Sequence, residues 1–124
     1  MFKSLQPSLD AIPYVFTLLK ESDVEVLQHA FAQIREKEGT TLILPKLVAE
    51  EYHLPFTFIA ARITLEVFSE LTDVGLTAEV SRVLAEAGIS CNVVAGYFHD
   101  HLFVPYDQRE QAIACLHDLS KAES

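Results

Sequence analysis

Apolar residues recur most regularly between Leu76 and Ala87. Leu76, Val80, Val83, Leu84 and Ala87 fall on one helical face, and Glu79, Ser81, Arg82 and Glu86 fall largely on the other. Gly88 follows, the residue that most often ends a helix. Elsewhere the pattern has a shorter period. Tyr14 to Leu19 is a continuous apolar run that predicts a central strand covered on both faces, with Pro13 at its start. Glu21 to Gln28 predicts a short helix in which Ser22 and Glu25 form a capping box. Ala30 to Leu44 alternates around a polar turn, Glu36 to Gly39, and predicts a hairpin. Pro45 opens a second short helix that Pro55 stops.

Phe56 to Phe68 predicts a long strand. Phe56, Phe58 and Ala60 set its apolar phase on even positions, and Ile63, Leu65 and Val67 set it on odd positions. Side chains alternate faces along a strand, so the phase must break, near Ala60 to Arg62. That break is the expected junction between a subdomain at 1–60 and another at 61–124. Ile89 to Phe98 and Leu102 to Val104 predict two strands joined by a turn at His99, Asp100 and His101. A last helix starts after Asp107, with Glu110 completing a capping-box pattern and Ile113, Leu116 and Leu119 forming its buried stripe; the tail after it is expected to fray. The order reads βαββαβ followed by βαββα, with the long central segment ending one pattern and starting the next. It predicts an α+β fold of two fused sandwiches, each an antiparallel sheet with helices on one face.

Composition narrows the function. Of 124 residues, half are hydrophobic, enough to bury a core. Nine basic residues stand against 18 acidic ones, net −9, which argues against nucleic acid and acidic membrane surfaces as partners. No apolar run is long enough to span a bilayer and the first residues do not read as a signal peptide, so a cytoplasmic location is expected. The two cysteines, Cys91 and Cys115, are expected to be reduced thiols, partly buried, with no disulfide framework.

The block VGLTAEVSRVLAEAGISCNVVAGYFHDHLFVPYD, after Asp73, resembles the small bacterial tandem ACT-domain proteins, above all in GLTA, AGISCNVVAG and HDHLFVP. YVFTLL and REKEGTTLILP in the first half are similar to the same family. The resemblance implies two ferredoxin-like ACT-type units. It implies a regulatory role without catalysis or cofactor, an amino acid or similar metabolite as ligand, a homodimer, and any controlled enzyme on a separate chain. Such sites lie where two ACT units meet, between the strand-to-helix turn of one and the second strand of a neighbour. Carried onto this chain, that nominates Asp73, Val74, Gly75, Leu76 and Thr77 on the turn, and Asn92, Val93 and Val94 on the strand.

The residue chemistry agrees. Glycine lets a ligand approach the backbone closely, and N–H groups at a helix start suit a carboxylate. Asparagine offers both a donor and an acceptor. The plainer reading is that Asp73 caps the helix, Gly75 makes the turn, and Asn92 is satisfied by neighbouring backbone. Two rivals stand beside the ligand reading. One is a ligand-free dimerisation module. The other is a metal or enzyme site at His99, Asp100 and His101, residue types that zinc or iron accepts, although a structural turn explains them as simply.

Overall fold

The computed structural model describes residues 5–66 and 75–123. Its elements are β1 (Pro7–Leu19), α1 (Val24–Gln28), β2 (Ala32–Glu36), β3 (Gly39–Pro45), α2 (Lys46–Glu51), β4 (Ile59–Leu65), α3 (Leu76–Glu86), β5 (Asn92–Ala95), β6 (Asp100–Pro105) and α4 (Arg109–Glu123), the last preceded by a 3-10 turn at Tyr106–Gln108. The chain forms two compact units. Residues 12–60 make the first, and the described residues of 1–11 and 61–124 make the second.

In the first unit the hydrogen-bonded order is β2-β3-β1, followed by Ile59 and Ala60 of β4. β2 and β3 form a hairpin in which Glu36 faces Gly39, so Lys37 and Glu38 are the turn. β3 then pairs antiparallel with β1 from Tyr14↔Pro45 to Leu19↔Thr40. Tyr14 and Val15 are successive and both buried, so both faces of β1 are covered there, as a continuous apolar run requires. Val15, Leu42 and Leu44 pack with Val26 of α1 and Ala49 of α2. Thr17, buried among apolar groups, donates its hydroxyl to the Pro55 carbonyl at 2.5 Å, which satisfies both.

In the second unit the order is β5-β6-β4, followed by Pro7–Ala11 of β1. Both units thus have the strand order of the ferredoxin-like fold, and the N-terminal half of β1 is the sixth element that the second pattern lacked. Leu5 is fully buried in this unit's core, and its N–H donates to Ser120 Oγ at 2.9 Å. Ala61, Ile63, Leu65, Leu102 and Val104 from the sheet pack against Leu76, Val80 and Leu84 of α3 and Ala112, Leu116 and Leu119 of α4. Ala60 and Ala61 are both fully buried, so the apolar phase shifts by one residue where the units divide.

Several expectations need correction. Pro13 lies inside a 13-residue strand, not at its start. It is tolerated because β3 ends at Pro45, opposite Tyr14, and no ladder bond is asked of it. The cap of α1 is Asp23, whose carboxylate accepts from Glu25 N at 3.1 Å and Val26 N at 3.4 Å, in place of Ser22. Phe56 to Phe58 lie outside the ladder, and β4 begins at Ile59; Val67 and Phe68 fall outside the described residues. The β5–β6 turn is Gly96 to His99, closed by Gly96 N–H donating to the His99 carbonyl at 2.8 Å, while Asp100 and His101 belong to β6. Asp107 sits in the 3-10 turn and caps no helix with its side chain. Ala112 takes the fully buried place in the α4 stripe, and Ile113 is half-buried.

Candidate functional site

The turn residues Asp73 and Val74 lie outside the described residues. Gly75 is the N-cap of α3, at φ +104° and ψ −25°, exposed, with open space where a Cβ would stand. An L side chain rarely adopts this backbone, so glycine is suited to it. The first intrahelical bond runs from Glu79 N to Gly75 O at 2.9 Å, and among the described residues no side chain caps the helix. The N–H groups of the first turn therefore point out at the positive end of an 11-residue helix. Leu76 turns its side chain into the core, leaving its backbone for the turn, and Thr77 is exposed. Glu79, the acid in the first turn, is held by Arg82 at 2.5 Å, which keeps its carboxyl below the usual carboxylate range. At the other end, Ile89 N donates to Leu84 O and Gly88 N to Ala85 O, the two bonds of a Schellman motif.

β5 is the outer strand of this unit's sheet. Asn92 is exposed and faces Phe103 in the ladder; Val93 pairs with Leu102 and packs on the core; Val94 pairs with His101. Asn92 and Val94 thus share the face away from the helices. The two halves of the nominated site are not together within one unit. β5 starts six residues after α3 ends, so Gly75 and Asn92 sit at opposite ends of a helix about 15 Å long.

That helix-free face carries polar groups that the pattern of the chain had not grouped. Arg62 of β4 pairs with Asp10 of β1 at 2.7 Å, and Thr64 Oγ1 lies 2.9 Å from His101 Nδ1. His99 Nδ1 is buried and has no partner among the described residues. Arg62, Thr64 and Glu66 could have been found from the alternation with Ile63 and Leu65. Asp10 could not, because its strand was not foreseen. Among the described residues no group of three His, Cys, Asp or Glu is placed to hold a metal ion. His99 ends a loop while Asp100 and His101 point to opposite faces of β6, so the three do not converge. Burial pushes the Cys91 thiol up to about 11, so it is protonated at neutral pH and a poor nucleophile. Cys91 and Cys115 are both free, half-buried thiols.

Burial holds His101 below the ordinary histidine value, helped by Arg62 and His99 and opposed by Asp100 and Glu66. The unfolded chain therefore takes up this proton first as pH falls. Stability supplied by neutral His101 is complete above the ordinary histidine value of about 6.5 and is lost as pH drops through it toward the lower folded value. Melting temperature should fall between neutral and mildly acidic pH, and His101→Gln should flatten that slope. Thermal melts of both proteins across pH check this; equal slopes would refute it.

A family model described as an ACT domain matches residues 60–118, and a second ACT-domain model matches residues 1–61. No curated protein matches the chain. Among solved structures, one from Vibrio cholerae, described as a protein of unknown function and possible transport protein, is 42% identical with a TM-score of 0.85, covering 92% of this chain and 88% of that one. A protein from Agrobacterium tumefaciens is 14% identical with a TM-score of 0.77, covering 92% and 87%. The ligand-free regulatory subunit of aspartate kinase from Thermus thermophilus is 13% identical with a TM-score of 0.66, covering 90% and 94%. The last two likenesses are of fold. Among the described residues, no helix is long and apolar enough to cross a membrane.

Proposed function

The chain belongs to the ACT-domain family, and on that premise we propose that it is a regulatory protein that binds an amino acid where two ACT units meet. The observation that carries this is the start of α3 behind Gly75, where no described side chain caps the helix and the space around a Gly75 Cβ is open. A carboxylate there meets unpaired donors and the positive end of the helix dipole. Asp73, Val74, Gly75, Leu76 and Thr77 form that side of the site, with Leu76 contributing main chain only. Asn92 supplies a donor and an acceptor, and Val93 and Val94 carry the strand that presents it. Because Gly75 and Asn92 belong to the same unit and lie at opposite ends of α3, the strand that meets a given Gly75 comes from a second copy of the chain, in a homodimer. The regulated enzyme is a separate chain, in keeping with a fold shared with an aspartate kinase regulatory subunit. Ligand binding favours one arrangement of units, and that shift is the signal.

A thermal-shift screen across the amino acids tests this. One or a few should raise the melting temperature, since a ligand at 100 times its dissociation constant adds about 2.7 kcal/mol. No stabiliser among them would sink the reading and favour a ligand-free assembly module.

A further inference from the structure

We infer that Asp100, at the head of β6, receives a cationic nitrogen of the bound amino acid, in the same unit whose α3 start receives the carboxylate. The inference rests on the amino-acid reading above and adds to that site a residue that neither the turn nor β5 supplies.

Asp100 stands where the pattern of the sheet asks for an apolar side chain. Leu102 and Val104, two and four residues further along β6, are buried in the core beneath α3 and α4. Side chains alternate faces along a strand, so Asp100 belongs to the same helix-facing row. Its ladder partner is Ala95, in line with Val93, which packs on that core. Asp100 is half-buried, and an ionised carboxylate in such a row is costly unless something compensates it. Among the described residues its side chain makes no hydrogen bond or ion pair. Arg62, on the adjacent strand β4, is paired with Asp10 on the other face of the sheet.

Topology brings Asp100 to the end of the unit at which α3 begins. Only residues 87–91 separate α3 from β5, so the strand runs back along the helix toward the helix start. Four strand residues span about 10 Å, most of the helix length. β5 ends at Ala95, and the Gly96–His99 turn, closed by Gly96 N–H donating to the His99 carbonyl, delivers Asp100 there. The positive end of α3 and a carboxylate thus lie at one end of one unit, opposite charges that match a zwitterion. Two further features suit a cation. Ala95 sets no long side chain against Asp100. Tyr97 and Phe98 precede it in the turn, 76% and 59% exposed and edge-on to one another at 4.8 Å, and ring faces attract cations. The α-ammonium and a charged side-chain end share this chemistry, and the experiment separates them.

Thermal shifts and calorimetric titrations of the whole chain with the standard L-amino acids test this. Each stabiliser is compared with its analogue carrying a hydroxyl in place of the α-ammonium, and lysine and arginine also with norleucine and citrulline, which lack the side-chain charge. The wild type should bind the stabilising amino acid about tenfold or more tightly than one of these analogues, and the arm that shows the difference identifies the nitrogen. Asp100→Asn should bind the amino acid and that analogue about equally, having lost about tenfold for the amino acid alone. Without ligand its melting temperature should not fall, because an unpaired charge leaves a core-facing row. A purely structural aspartate would give a lower melt and an unchanged preference. Amino acids that bind Asp100→Asn with the wild-type preference overturn the proposal and leave the amino-acid reading standing. No stabiliser among them overturns both. If Asp100→Asn fails to fold, Asp100→Ser takes its place, and equal binding of the amino acid and every analogue by the wild type overturns the proposal without either variant.

Discussion

Leu84→Ala should lower the unfolding free energy of the second unit by about 3 kcal/mol. Leu84 is fully buried, and it stands on α3 in the core that also holds Ile63, Leu102, Val104 and Leu116. Those residues come from β4, β6 and α4, which closely packed layers hold in place, so the vacated space cannot close cheaply. The backbone role of Leu84, accepting from Ile89 N at the end of the helix, survives the change. The measured loss is thus one of packing. In a chain of this size about 3 kcal/mol corresponds to a melting temperature lower by roughly 10 °C. Leu47→Ala is the control: the side chain is 76% exposed on α2, and the change should cost less than about 0.5 kcal/mol. Urea titrations of the two variants check this. If they lose the same stability, the layer arrangement of the second unit is wrong.

The residues of that core were the easiest to read from the sequence. Leu76, Val80 and Leu84 repeat at helical spacing, and Ile63 and Leu65 alternate, because one face of each element is buried and the other is wet. The first half of β1 follows the same rule. Pro7, Leu9 and Ala11 take one side and Ser8 and Asp10 the other, but two prolines disguise it. Their lack of N–H matters only where a neighbouring strand exists, and the sequence does not show where β3 stops. Tyr97 and Phe98 misled in the opposite sense. Aromatic residues favour strands, yet these two are 76% and 59% exposed in the Gly96–His99 turn, stacked edge-on on one another at 4.8 Å. Pairing of Ala95 with Asp100 set the register, and it moved the histidines with it.

The candidate site was readable in part. A glycine before an amphipathic helix signals an open turn, and α3 has one. The distance between that turn and Asn92 is a property of topology, since β5 starts beyond the far end of α3. The polar group formed by Asp10, Arg62, Thr64 and His101 was hidden for the same reason: β1, β4 and β6 are adjacent in the sheet and far apart in sequence.

Gly75→Val should abolish stabilisation by the amino acid that the screen identifies, a loss of about 2.7 kcal/mol at 100 times the dissociation constant. Two effects combine. At φ +104° a β-branched residue is strained, by about 1–3 kcal/mol, and the turn must distort to relieve it. The added side chain also fills the open space through which a carboxylate reaches the first-turn N–H groups. Gly75→Ala separates the two, because it carries much of the strain with little of the bulk; it should melt lower yet keep a reduced ligand shift. Asn92→Ala should leave stability nearly unchanged, since Asn92 is exposed, while removing most of the shift. Thermal melts of the three variants with and without the amino acid read these outcomes directly. A full ligand shift retained in both Gly75→Val and Asn92→Ala would place the ligand elsewhere on the molecule. Loss in Gly75→Val alone would keep the helix start and remove the strand from the site.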